Sequence, residues 1–252
     1  MISYHKRYQE SAARNIANSR VWAELTSLGG QIREEPLLSD ARAVARETML
    51  RARDNVAILV ERLNRLEYRF VEPPAAWAPP DPALIARLDD WELKYGPLPL
   101  SIRTWYEIVG SVNLMGSHPK LNRYYSLDQA DSKPPPTYAD PLVVDRFSDE
   151  PESFYLNLVD PQSDEEVTGP PYRLELAPDA YMKANESGGG PTEIMFPNPA
   201  IDAPLISDNW DGVMFVSYLR TCFEWGGFPG WRSQAERPKQ ELEFLARDLL
   251  SL

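Results

Sequence analysis

The sequence is short of the residues that most often carry chemistry. Its 252 residues include one cysteine and two histidines. A lone thiol, Cys222, cannot form an intramolecular disulfide, so no disulfide framework is expected, and the chain suits a reducing, cytoplasmic setting. His5 lies near the start of the chain and His118 precedes Pro119. Neither has a cysteine or carboxylate at ligand spacing, which argues against zinc. No apolar stretch reaches the roughly 20 residues of a spanning helix, and the first residues hold no apolar signal-type run. No membrane partner is expected. Positive charge is also scarce: 26 Lys and Arg stand against 38 Asp and Glu, a net charge of −12. Direct binding to a phosphate backbone is therefore not expected.

What is present indicates a folded globule. The chain is 43% hydrophobic and 25% charged, with seven tryptophans, twelve tyrosines and eight phenylalanines. The charge is uneven. Residues 1–70 hold 12 basic and 9 acidic side chains, whereas residues 127–211 hold 4 and 18, a balance of −14. A solubilising surface is the plain reading of that sector. A field that steers a basic partner is the functional one.

The pattern divides the chain in three. Residues 1–72 predict a helical hairpin, with one helix from Tyr8 to Leu28 ending at Gly29-Gly30 and a second capped by Ser39 or Asp40. The second carries a stripe of Val44, Thr48, Ala52, Val56, Leu59, Leu63 and Leu66. Its arginines are interleaved with Glu47, Asp54, Glu61 and Glu67, which reads as a solvated face rather than a nucleic-acid site. Residues 73–82 are proline-rich and predict a stiff connector. Residues 83–252 predict helices over 84–93 and from a Ser101 cap to Gly110. Short strands over 142–147, 154–159, 172–176 and 192–196 follow, then helices over 213–225 and 239–250. Helices, then strands, then helices describe an α+β fold with a mixed or antiparallel sheet.

Candidate chemistry is thin. Asp149, Glu150 and Glu152, Asp164 with Glu165 and Glu166, and Asp208 with Asp211 are carboxylate groups in loop-like surroundings, and they read as exposed. Cys222 lies in an apolar helical run and reads as a buried structural thiol. Ser187-Gly188-Gly189-Gly190 lacks the Gly-Lys-Ser/Thr ending of a phosphate loop and reads as a hairpin connection. Trp210, Phe223, Trp225, Phe228 and Trp231 read mainly as core, with a ligand platform as the lesser alternative. No catalytic set, metal or cofactor is predicted.

Several of these segments occur in one order in a known family. LPLSIRTWYEIVG at 98–110, with Leu98, Pro99, Trp105 and Gly110, resembles the opening signature of the SUKH superfamily, which includes the fungal cell-wall-assembly regulator and many bacterial relatives. Asp179, Lys183, Ser187, Gly188 and Gly189 resemble its middle segment. Trp225, Gly226, Gly227, Phe228 and Pro229 resemble its closing turn. Tyr181 departs from the pattern, standing where relatives often carry histidine. The resemblance implies a SUKH-like α+β domain over 83–252 without catalytic apparatus. It further implies an immunity-type protein that binds and neutralises a toxin domain, often a nuclease. On that reading Asp149, Glu150, Glu152, Asp164, Glu165 and Glu166 contribute to the partner surface. A scaffold built on the N-terminal helices and a small-ligand domain remain as alternatives, and the oligomeric state is left open.

Overall fold

The computed structural model describes residues 3–74, 76–127, 138–148, 152–153 and 172–252. The architecture is α+β. Its helices are α1 (Tyr4–Ala12), α2 (Ser19–Ser27), α3 (Leu37–Arg65), α4 (Leu84–Tyr95), α5 (Leu100–Ile108), α6 (Ala180–Lys183), α7 (Phe215–Glu224) and α8 (Lys239–Ala246). The strands are β1 (Arg69–Phe70), β2 (Trp77–Ala78), β3 (Ser111–Asn113), β4 (Gly116–Ser117), β5 (Val143–Val144), β6 (Glu152–Ser153), β7 (Tyr172–Pro178) and β8 (Pro191–Phe196). They form three small sheets, β1-β4, β2-β3-β5 and β6-β7-β8, and every pairing is antiparallel. No described helix is long and apolar enough to cross a membrane.

The long α3 organises the molecule. Val44, Thr48, Ala52, Val56, Leu59 and Leu63 recur every three or four residues, and all are buried, as the stripe predicts. Leu66, the last of the predicted stripe, is only partly buried and sits at the helix end. Around α3 pack α1, α5, α8 and β2. The N-terminal helices therefore share one hydrophobic core with the rest of the chain, running from Tyr8 to Leu252.

The expected helix over 8–28 is broken. Asn15 adopts a left-handed conformation (φ 52°), and its side chain bonds the Leu249 carbonyl and the Ser251 N–H. An asparagine tolerates that conformation, and a contact some 234 residues away in sequence rewards it. Asp40 does not cap α3, which starts at Leu37. Its carboxylate instead accepts the Tyr4 and His5 N–H groups and caps α1 from across the interface. Ser101 likewise lies inside α5, where its hydroxyl donates to Asp202 at 2.7 Å.

The proline-rich segment is used as a sheet edge. Trp77 and Ala78 pair with Val112 and Ser111, and the Trp77 indole donates to the Val109 carbonyl at 2.8 Å. Gly110, at φ 87°, packs so closely that a Cβ there would lie 2.2 Å from the Ala78 oxygen. Glycine is thus required at this position twice, by its backbone angle and by its neighbour. The strand expected over 142–147 shortens to two residues, and the one expected over 154–159 lies outside the described residues.

The far end of the chain is fastened to α3. Asn55 is fully buried, donating to the Leu250 carbonyl at 2.8 Å and accepting the Leu250 N–H at 2.7 Å. Arg62, expected among solvated arginines, bonds the Leu245 carbonyl, and Arg51 bonds that of Ser251. Asn55→Ala is expected to lower the unfolding free energy by about 1–3 kcal/mol, since it orphans two buried backbone groups. Arg53→Ala, which removes an exposed pair with Asp54, is expected to change it by less than about 0.5 kcal/mol. Urea denaturation of both variants checks the contrast.

Candidate functional site

The segment from β7 to β8 builds the most unusual chemistry in the described structure. Asp179 follows β7 and caps the single turn of α6. One carboxylate oxygen accepts the Met182 N–H at 2.8 Å and the other accepts the Gly190 N–H at 3.1 Å. A Cβ on Gly189 would lie 2.1 Å from the same carboxylate. Asp179 and Gly189 thus form one device that ties α6 to the glycine loop. Gly188 and Ser187 are exposed within that loop.

The turn of α6 points Ala180 and Lys183 inward. The Lys183 ammonium lies 2.6 Å from the Asp140 carboxylate, and both side chains are at least 95% buried. The other oxygen of Asp140 accepts the Trp210 indole N–H at 2.8 Å. Asp140 holds a left-handed backbone (φ 50°), a conformation maintained here by two strong side-chain bonds. Against Trp210 packs the fully buried Tyr218, and burial raises the phenol well above its ordinary range. Burial also drives the Cys222 thiol upward, which makes it an inert structural group, as the sequence suggests.

Above this buried layer lies a cavity of about 210 Å³. Its walls include Tyr138, Tyr181, Asn209, Trp210, Pro229 and Arg232. The Arg232 guanidinium lies over the Trp210 ring, 4.1 Å from its centroid. Tyr138 and Tyr181 bring their ring centroids to 4.8 Å, and the Tyr138 hydroxyl donates to Glu186. That bond, followed by burial, pushes the Tyr138 phenol up to about 12.

A second buried carboxylate, Asp202, joins three segments. It accepts the Ser101 hydroxyl and the Ala203 N–H through one oxygen, and the Val216 N–H at the start of α7 through the other. Burial raises its pKa to about 6 despite these bonds.

The sequence-predicted residues divide by role. Leu98, Trp105 and Phe228 are fully buried, and Trp105 meets Phe215 edge-on at 5.7 Å. The Leu98 carbonyl accepts a bond from Arg33, and Pro99 precedes α5. Gly226 and Gly227 take left-handed angles, with Leu245 packed on the first. Trp225 is half-buried beneath Arg237. Of the aromatic set Trp210 lines the 210 Å³ cavity, and of the closing turn Pro229 and Gly230 do. Glu152 falls in β6. Asp149, Glu150, Asp164, Glu165 and Glu166 lie outside the described residues. Among the described residues, no three His, Cys, Asp or Glu side chains group closely enough to hold a metal ion.

The acidic sector is also redistributed. Asp140, Asp179, Glu193 and Asp202 are buried, and each is bonded within the protein. Glu175, Asp208 and Asp211 remain exposed. The buried carboxylates Asp140 and Asp202 were not singled out from sequence. The one signal for Asp202 is a lone acid amid Ile201, Ala203 and Leu205.

Two variants test these buried groups. Lys183→Met leaves Asp140 buried without its ion partner and is expected to cost about 3–5 kcal/mol of stability in chemical denaturation. For Asp202, the folded pKa of about 6 lies above the ordinary value of 3.8. Its protonated form therefore stabilises the fold. That contribution is fully present below the ordinary value and is lost as pH rises through 6. The wild-type stability minus that of Asp202→Asn is expected to be flat above pH 6. Towards pH 4 it is expected to rise by up to about 3 kcal/mol. A difference that stays constant across this range would contradict the assignment. In comparisons with known proteins, no family model, no curated protein and no solved structure matches the chain.

Proposed function

We propose that the chain is a non-enzymatic, immunity-type protein that binds and neutralises a toxin domain through an acidic surface. The observation that carries this reading is how the SUKH-like residues are used. Asp179 and Gly189 lock a loop, Gly110 admits a neighbouring strand, and Trp105 and Phe228 fill the core. The motif therefore builds a scaffold, and among the side chains that the acidic sector of that scaffold presents to solvent are Glu175, Asp208, Asp211 and Tyr181. Such a surface suits recognition of a basic protein, because complementary charge accelerates encounter and excludes wrong partners. A nuclease that binds nucleic acid through basic residues is the natural target.

The shared core speaks against a separate docking module at the N-terminus. Residues of α1 and α3 are buried against the body, so their apolar faces are already occupied.

The test is co-expression with a toxin domain encoded beside this chain in its genome. Growth rescue and a complex that survives size-exclusion chromatography are expected. Replacing Asp149, Glu150, Glu152, Asp164, Glu165 and Glu166 by lysine is expected to slow association at least about tenfold at low salt and to flatten its salt dependence. If the wild-type chain gives neither rescue nor complex, the reading fails.

A further inference from the structure

We propose that the face formed by Tyr138, Tyr181 and Met182, edged by Glu186, Asp208 and Asp211, docks an arginine- or lysine-bearing segment of a basic protein partner. The proposal rests on the reading above only for the partner being a basic protein, and it names the surface.

The exposure of this face follows from the buried layer beneath it. In the four residues of α6, Asp179 caps the turn while Ala180 and Lys183 are held inside. Tyr181 and Met182 are thereby turned outward, 37% and 43% exposed. Of the five large hydrophobic side chains exposed among the described residues, only these two are neighbours in the chain. Tyrosine, methionine and arginine are the side chains enriched where proteins bind one another. Methionine adapts to the shape of its partner.

The face is also held ready. The Tyr138 ring packs on Tyr181 while its hydroxyl is held by Glu186, so both rings are fixed before binding. Preorganisation of this kind lowers the entropy cost of association. Burial and then the Glu186 charge raise the Tyr125 phenol too, which sets this carboxylate near a second tyrosine.

Charge selects the occupant. The Lys183–Asp140 pair below is internally neutral. Asp208 and Asp211 are exposed and flank Asn209 and Trp210, which line the adjoining cavity. Among the described residues, the positive charges set against them are Arg232, stacked on Trp210, and Arg123, whose charge acts on Tyr125 beside Glu186. Three carboxylates against two guanidinium groups leave the described edge negative. A partner guanidinium can lie on the tyrosine faces and reach Glu186, combining cation–π attraction with a charge-assisted hydrogen bond.

The probe is the peptide acetyl-Gly-Arg-Gly-Arg-Gly-amide, titrated into the full chain at low ionic strength with NMR detection of methionine methyl and tryptophan indole signals. Saturable shifts confined to Met182 and Trp210 are expected. Binding is expected to weaken about tenfold in Tyr181→Ala, to fall in Glu186→Gln, and to decline as salt is added. The same peptide with glutamate in place of arginine is expected to bind at least tenfold more weakly. Shifts scattered over the surface, or affinity unchanged by Tyr181→Ala and Met182→Ala together, overturn the assignment. The two readings separate in the co-expression assay. A wild-type chain that neutralises its toxin while the Tyr181→Ala, Met182→Ala double variant does so equally well removes this surface and keeps the function. Localised peptide binding without neutralisation of any toxin keeps the surface and removes the immunity reading.

Discussion

Burial of one face of α3 is the constraint on which the other elements depend. A 29-residue helix with a continuous apolar stripe cannot stand alone in water, and each buried Val, Leu or Met side chain contributes about 1.5–3 kcal/mol only if something covers it. The cover comes from both ends of the chain. On the N-terminal side lies α1, from beyond the proline-rich segment comes α5, and α8 closes the remainder. The same helix supplies Arg51, Asn55 and Arg62, which hold the backbone of residues 245–251. The helix that the sequence pattern places in an N-terminal hairpin is the central support.

The second organising device is the interior carboxylate. The strands are short, so much of the backbone at segment joints lacks sheet partners, and buried N–H groups require acceptors. Asp40, Asp179 and Asp202 supply them by reaching between elements. Asp140 accepts instead from an ammonium and an indole. Part of the negative charge of this acidic protein is therefore structural. Among the described residues of the acidic sector, Glu175, Asp208 and Asp211 are on the outside, and the aromatic face on α6 joins them because the buried Lys183 fixes which residues of that turn look outward. The internal network and the proposed docking face are two sides of a single helical turn.

Legibility in the sequence followed the range of the interaction. The stripe on α3, the helices near 84–93 and 213–225, and the strands near 172–176 and 192–196 were readable because periodicity is a local property. Caps were less so. Ser101 and Asp40 have the residue types of helix caps, but both serve partners elsewhere in the chain. Two-residue strands such as β1, β4 and β5 carry too few side chains to show alternation. The candidate site was legible only in part. Asp179, Lys183 and the glycines stood out as a set, whereas Asp140 and Trp210, which complete it, come from separate loops.

By itself the sequence determined the α+β composition, the apolar face of its longest helix, the inert setting of Cys222 and the uneven charge. Each depends on neighbours within a few turns or on composition alone. Only the tertiary structure decided which carboxylates are interior, that one core includes the first helices, and that Tyr181 and Met182 face solvent. Those outcomes are fixed by contacts between residues tens to more than two hundred positions apart, such as Asp140 with Lys183 and Asn15 with Leu249. A burial energy or a buried charge has no value until its partner across the fold is in place.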